Sequence, residues 1–234
     1  MRFPFERPLP TVLLRVDRPT GECVLRRREE APGAPVYELV LNGRLLMDTV
    51  EHRSEEALAE VGLAACGPGP LEVLVGGLGF GFTLAAVLRD PRVARVEVVE
   101  LEPLLVALVT RPEVRAELGA PDLADPRVAL RHGDVRARLA AAQAAFDLVL
   151  LDVDNGPESL SAIGNGALYG APGLRRCRAA LRPGGALAIW SAEPAPACLA
   201  ELARTFDEAG ERLVPVERAG RAISYRILTG RRAA

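Results

Sequence analysis

Residues 71–84 read LEVLVGGLGFGFTL. An apolar run rich in β-branched residues passes directly into Gly76-Gly77-Leu78-Gly79-Phe80-Gly81, and helix-forming residues follow over 83–88. The run is apolar throughout, so it predicts a strand buried on both faces. The glycines allow a sharp turn and a close backbone approach to a ligand. Strand, glycine turn and helix together make the opening unit of an open α/β sheet.

Reading towards the C-terminus, strands and helices keep alternating. Strands are expected over residues 95–100 (RVEVVE), 127–134 (RVALRHGD), 146–152 (FDLVLLD) and 186–193 (ALAIWSAE). Helices are expected over 103–118, 135–144, 168–181 and 198–209, the last two ended by Arg182-Pro183-Gly184-Gly185 and by Gly210. Two final strands, 212–218 and 222–228, are joined only by Ala219-Gly220, so one of them must run antiparallel. Apolar strands separated by helices predict a mostly parallel sheet covered on both faces. Five such units closed by a C-terminal β-hairpin give the seven-stranded, Rossmann-like fold of the class I S-adenosylmethionine methyltransferases.

Reading towards the N-terminus, the first fifty residues are β in character. Strands are expected over 11–16, 22–28, 36–41 and 44–48, with Asn42-Gly43 suited to a tight hairpin turn. Pro19-Thr20-Gly21 and Pro32-Gly33-Ala34-Pro35 punctuate the earlier strands. Ser54 is expected to cap a helix running to about Cys66, with Glu55 and Glu56 in its first turn and a stop at Gly67-Pro68-Gly69-Pro70. The expected division is a small β unit over 1–52 and a cofactor-binding catalytic domain over 53–234.

Composition narrows the function. The 234 residues carry a net charge of −2, which gives no footprint for nucleic acid or a membrane surface. The opening MRFPFERPLP is charged and proline-rich, unlike a secretion signal, and no apolar run is long enough to span a bilayer. Cys23, Cys66, Cys177 and Cys198 form no C-x-x-C, and the two histidines, His52 and His132, lie far apart, so no metal site is expected. Scattered thiols fit a cytoplasmic protein.

Ligands of open α/β sheets bind beyond the carboxyl ends of the strands. There the turn residues Gly76, Gly77, Leu78, Gly79 and Gly81 are candidates for a nucleoside cofactor. Glu100 ends the second strand about twenty residues on, where an acid can bind both ribose hydroxyls, with Leu101 beside it. Gly133, Asp134 and Val135 end the third strand, where an acid can accept from an adenine amino group. The turn reads G-x-G-x-G rather than G-x-G-x-x-G, which favours S-adenosylmethionine or its decarboxylated form over a nicotinamide cofactor. The fourth strand ends in Asp152-Val153-Asp154-Asn155-Gly156-Pro157. Asp152, Asp154 and Asn155 are the candidates for orienting an amine nucleophile or taking its proton, Asp152 also touching the cofactor. Tyr169, Asn165 and Trp190 are expected near the same edge, and Glu51 and His52 precede the first helix.

These residues resemble the spermidine synthase family of polyamine aminopropyltransferases. The similarity runs through LNGRLLMDTVEHRSEEALAE, VLVGGLGFGFT, VEVVELEP, HGD, FDLVLLDVDNGPE, LY and LRPGGALAIWS. It is nearest to a short bacterial branch with GGLG-x-GFTL and DVDNGPE. The resemblance implies transfer of an aminopropyl group from decarboxylated S-adenosylmethionine to an amine, by a homodimer. It also implies ribose, adenine and acceptor-amine roles for Glu100, Asp134 and Asp152. Better-known members carry GGGDGG, whose aspartate touches the aminopropyl end; Gly79 stands at that position here. A methyltransferase using intact S-adenosylmethionine is the alternative, although Val75 stands where many methyltransferases place an acid. A non-catalytic nucleoside-binding protein is the third reading.

Overall fold

The computed structural model describes residues 9–18, 21–31, 33–153, 156–157, 166–218 and 221–234. Expectations for the first eight residues, Pro19, Thr20, Pro32, Asp154, Asn155, Asn165, Ala219 and Gly220 fall outside the described residues. The chain divides into two compact units, Met1–His52 and Arg53–Ala234.

The first unit is an antiparallel meander of β1 (Thr11–Arg18), β2 (Gly21–Ala31), β3 (Ala34–Leu41) and β4 (Arg44–Asp48) in sequential order. Asn42 and Gly43 take φ of 51° and 75°, the left-handed pair that matches the twist of a two-residue hairpin. Glu38 of β3 is buried and held by Arg26 and Arg28 of β2, whose Nε atoms lie 2.6 and 2.7 Å from its carboxylate.

The second unit begins with α1 (Arg53–Ala64), β5 (Leu71–Gly76), α2 (Phe82–Leu88) and β6 (Val93–Glu100). It continues through α3 (Pro103–Val109), α4 (Pro112–Leu118), β7 (Val128–His132), α5 (Val135–Ala140) and β8 (Phe146–Leu151). It closes with α6 (Gly166–Tyr169), α7 (Ala171–Ala180), β9 (Leu181–Ser191), α8 (Pro196–Thr205), β10 (Glu208–Arg218) and β11 (Arg221–Arg231). The seven strands run β10-β11-β9-β8-β5-β6-β7. Strands β5 to β9 are parallel, and β11 is antiparallel to both its neighbours. The chain starts at β5, moves outward to β7 and returns to β8 on the other side, which puts the switch point between β5 and β8. This is the seven-stranded, Rossmann-like methyltransferase arrangement that the sequence predicts.

Several boundaries differ, each for a local reason. The helix expected over 103–118 is two, because Pro112 has no N–H to continue the ladder and begins α4 instead. The helix expected over 168–181 is likewise divided at Gly170, with Pro172 in the first turn of α7. The helix after Val135 ends at Ala140, earlier than expected. Ser54 is not a cap: it lies inside α1, and its hydroxyl donates to the Glu55 carboxylate at 2.5 Å. α1 stops at Ala64, two residues short of Cys66. Arg182-Pro183-Gly184-Gly185 falls inside β9, not before it. Gly210 falls inside β10 rather than ending α8, because Phe206 already turns extended and is buried against Gly230.

Alternate residues of each strand pack on opposite faces. One layer joins Val73, Val75, Leu148, Leu150, Ala188 and Trp190 to Leu58 of α1 and Leu84 of α2. The other joins Leu74, Val149, Leu151 and Ile189 to Leu139 of α5, Leu174 of α7 and Leu202 of α8. α1 rests on the sheet at Gly62, where an added Cβ would lie 2.7 Å from Leu150 Cδ2 and 2.9 Å from Leu148 Cδ1.

Candidate active site

Strand register determines which residues meet at the carboxyl edge. Gly76 pairs with Val99 on one side and Leu151 on the other, and Leu151 pairs with Ile189. One residue further along, Glu100, Gly77, Asp152 and Trp190 therefore end four adjacent strands side by side, on the face covered by α1. Glu100 and Asp152 are two strand spacings apart, about 10 Å.

The glycine turn is pressed against this row. Gly77, Gly79 and Gly81 have φ of 89°, 53° and 90°, a backbone that side-chain-bearing residues rarely adopt. A Cβ on Gly77 would sit 2.1 Å from the Asp152 carbonyl oxygen, and one on Gly76 would sit 2.8 Å from Val135 Cγ2. The turn is tied down from within by Gly81 N donating to Leu78 O at 2.7 Å.

Glu100 is buried with its charge supported by the backbone. Leu78 N donates to Oε2 and Glu102 N to Oε1, each at 2.7 Å. Burial pushes its pKa above the ordinary glutamate value, against the backbone N–H donors of Leu78, Gly79 and Leu101, which lower it. Each oxygen keeps lone-pair capacity for a pair of ligand hydroxyls. Leu101 follows, half exposed. Gly133 N donates to Glu100 O at 2.8 Å, joining the second and third strand ends.

Asp134 caps α5, accepting from Arg136 N at 2.8 Å, and pairs with the Arg136 guanidinium at 2.7 Å. Burial opposes its charge, but the Arg136 side chain and N–H outweigh it and hold the pKa below the ordinary aspartate value. The cap and the expected adenine contact thus draw on one carboxylate, which has four lone-pair sites.

Asp152 is strongly perturbed by its surroundings. Thr83 Oγ1 donates to its Oδ2 at 2.6 Å and lies 3.4 Å from the Glu55 backbone oxygen, so α1, α2 and the end of β8 meet there. Burial raises the Asp152 pKa most, and the nearby Glu55 charge adds to it. Thr83 opposes, Glu100 adds a smaller push, and the result is about 7. Glu55 is the residue that sequence reading misses as part of the site. Two acids at a helix start are ordinary partners of the helix dipole, and only the tertiary packing of α1 distinguishes Glu55 from its neighbour.

The remaining candidates divide. Tyr169 is buried, and its hydroxyl donates to Val153 O at 2.9 Å, anchoring the chain just after Asp152. Gly156, at φ 97°, has no room for a Cβ, which would fall 2.6 Å from Ser191 Oγ, so this loop folds back on the end of β9. Trp190 packs against Tyr225 with ring centroids 4.9 Å apart and planes tilted by 41°, and its buried indole N–H has no hydrogen-bond partner among the described residues. Asp154 and Asn155 lie outside the described residues, and Glu51 and His52 belong to the first unit. Among the described residues no cluster of His, Cys, Asp and Glu is arranged to hold a metal ion. No helix among them is long and apolar enough to cross a membrane.

A doubly wound, Rossmann-like sheet carries a glycine turn and two acids, the buried Glu100 and the partly buried Asp152, at its switch point. Comparison with known proteins identifies the family. The spermine/spermidine synthase domain matches residues 51–215, and the chain belongs to that family. The chain is 32% identical over 192 residues to polyamine aminopropyltransferase 1 of Streptomyces coelicolor, covering 81% of this chain and 35% of that one. It is 35% identical over 123 residues to putrescine N-methyltransferase 3 of Nicotiana tabacum, covering 50% of this chain and 29% of that one. It thus spans about a third of the length of these curated relatives. Among solved structures, a spermidine synthase in complex with the transition-state analogue AdoDATO superposes with a TM-score of 0.79 at 18% identity, over 95% of this chain and 74% of that one. Spermidine synthase from Thermotoga maritima superposes with a TM-score of 0.76 at 16% identity, over 95% and 73%. At such identities these two likenesses establish the fold.

Proposed function

We propose that the chain transfers an aminopropyl group from decarboxylated S-adenosylmethionine to a small amine. The observation that carries this is Asp152, a carboxylate with a pKa of about 7, one strand from the glycine turn and two from the ribose-side Glu100. In this reading the turn residues Gly76, Gly77, Leu78, Gly79 and Gly81 approach the nucleoside. Glu100 and Leu101 hold the ribose, and Gly133, Asp134 and Val135 the adenine. Asp152, with Asp154 and Asn155 close to it in sequence, orients the acceptor amine over the carbon bonded to sulfur. As the nitrogen–carbon bond forms, the carbon–sulfur bond breaks and its electron pair goes to sulfur. Methylthioadenosine leaves, and Asp152 accepts the proton that the amine loses. Positioning supplies much of the rate in such an in-line displacement, and a base with a pKa near the working pH suits the proton transfer.

The N-methyltransferase relatives and the bare Gly79 favour a second reading, methyl transfer from intact S-adenosylmethionine. Incubating the protein with each cofactor and a panel of amines separates the two. Methylthioadenosine formed only with the decarboxylated cofactor supports aminopropyl transfer. S-adenosylhomocysteine supports methyl transfer, and tight binding without either product favours a nucleoside-binding protein.

The four free thiols support a reducing cytoplasm. Exposed Val12 and Leu13 on β1, with the family resemblance, support a homodimer, which light scattering tests directly.

A further inference from the structure

The two acids at the switch point are held in different ways. Main-chain N–H groups occupy both oxygens of Glu100: Leu78 N donates to Oε2 and Glu102 N to Oε1. Asp152 is held by a side chain. Thr83, buried in the first turn of α2, donates from Oγ1 to Asp152 Oδ2 at 2.6 Å. That separation is in the range of about 2.5–2.7 Å for a hydroxyl bonded to a carboxylate. The same oxygen lies 3.4 Å from Glu55 O, but a hydroxyl has one hydrogen, and the short contact to a charged acceptor takes it. Among the described residues, no other group hydrogen-bonds to the Asp152 carboxylate, so Oδ1 is left for a ligand. Asp152 is only partly buried, which leaves that oxygen a route to one. The charges that act on the carboxylate from the elements packed around it are Glu55 on α1 and Glu100 on β6. Thr83 of α2, Gly77 after β5 and Trp190 of β9, which adjoin it, are uncharged. The helix that carries Thr83 begins directly after Gly81, so the glycine turn and Asp152 share one anchoring point.

We propose that Thr83 is a positioning residue: its hydroxyl ties down Asp152 Oδ2 and so presents Oδ1 to the acceptor amine. The proposal rests on the function proposed above. As the amine nitrogen bonds to carbon, it gives up a proton to Oδ1, and the electron pair of the broken N–H bond stays on nitrogen. Thr83 also steers the proton, because an oxygen that already accepts a short hydrogen bond is the weaker base of the two. A carboxylate without this tie could turn about its Cβ–Cγ bond and offer either oxygen at varying angles, which costs rate in a reaction that depends on alignment.

The test compares the full chain with Thr83→Val, which keeps the shape and loses the donor, and with Thr83→Ser, which keeps the hydroxyl. Trp190 is the chain's one tryptophan and ends the strand beside Asp152, so its fluorescence can follow the titration of that carboxylate without any substrate. Wild type should show a transition near pH 7 that Asp152→Asn abolishes. Thr83→Val should move its midpoint up by about one pH unit, the scale of one hydrogen bond to a charged group. It should also lower kcat by about tenfold or more while leaving methylthioadenosine affinity unchanged. Thr83→Ser should restore the midpoint and most of the rate. An unmoved midpoint in Thr83→Val overturns the proposal, as does a shift in Thr83→Ser as large as that in Thr83→Val, or a wild type without a transition that depends on Asp152. A loss of methylthioadenosine affinity equal to the loss of rate would mark a structural role instead. The proposed function fails separately, through a wild-type chain that yields no product from either cofactor. Thr83 then has no part in a reaction, whichever way the midpoint moves.

Discussion

Asp152 joins the proposed proton transfer and folding stability in one side chain. Its pKa lies near 7 in the folded protein against 3.8 for an unperturbed aspartate. Its protonated form is therefore favoured by folding. That contribution is fully present below about pH 3.8 and is lost as the pH rises through 7. Asp152→Asn should thus unfold at a higher temperature than wild type at pH 8, and the gap should close near pH 4. A thermal scan at the two pH values checks this. The same substitution should abolish turnover while leaving methylthioadenosine affinity nearly intact; a collapse in that affinity would reassign the residue to ligand binding. In the wild type, kcat/KM should rise with pH through about 7, because that ratio reports the free enzyme's base. Glu100 works differently. Its replacement by alanine strands the N–H groups of Leu78 and Glu102 and, in the proposed reading, removes the acceptor for both ribose hydroxyls. Every adenosyl ligand should then bind more weakly by about 1.5–3 kcal/mol, measured by calorimetry.

Among the elements, α1 depends on a residue from outside itself. It ends without a basic side chain in its last turn, and the guanidinium of Arg92 takes over. Arg92 donates to Leu63 O at 3.0 Å, Gly67 O at 3.2 Å and Cys66 O at 3.4 Å, while Asp90 holds it at 2.7 Å. Leu63 O also accepts from Cys66 N at 3.2 Å, and the guanidinium adds a charged partner at the helix end. Arg92→Ala should cost about 1–3 kcal/mol of unfolding free energy in urea melts. At β5, the cost of change is steric. Gly77→Ala must place a methyl 2.1 Å from Asp152 O at a φ of 89°, so it should lower stability and ligand affinity together. A variant that binds methylthioadenosine normally would show that the turn has slack.

For the molecule as a whole, the order of strands and helices was readable because the central strands β5 and β8 are apolar on both faces and many turns hold a glycine or proline. LEVLVGG and FDLVLLD cannot be half-buried strands, so helices must cover both sides of the sheet. The candidate acids Glu100 and Asp152 were readable because they lie at strand ends, where spacing alone determines their edge. Helix ends were less legible. Pro112 and Phe206 override a continuous apolar pattern, and only tertiary packing decides where the chain turns extended. Glu55 was invisible for a related reason: its neighbours in the site come from α2 and β8, remote in sequence.

Gly62 lies two helical turns beyond Glu55 on α1, on the side that rests on Leu148 and Leu150. The absent methyl group there acts as a spacer, setting how near the helix brings its acid to Asp152. Gly62→Ala should wedge α1 outward and loosen the coupling between the two carboxylates. Asp152 would then titrate at a lower pH, and the rising limb of kcat/KM should move with it. A contact made of leucine side chains, with no polar atom in it, would thereby tune the proton chemistry of a site two turns away.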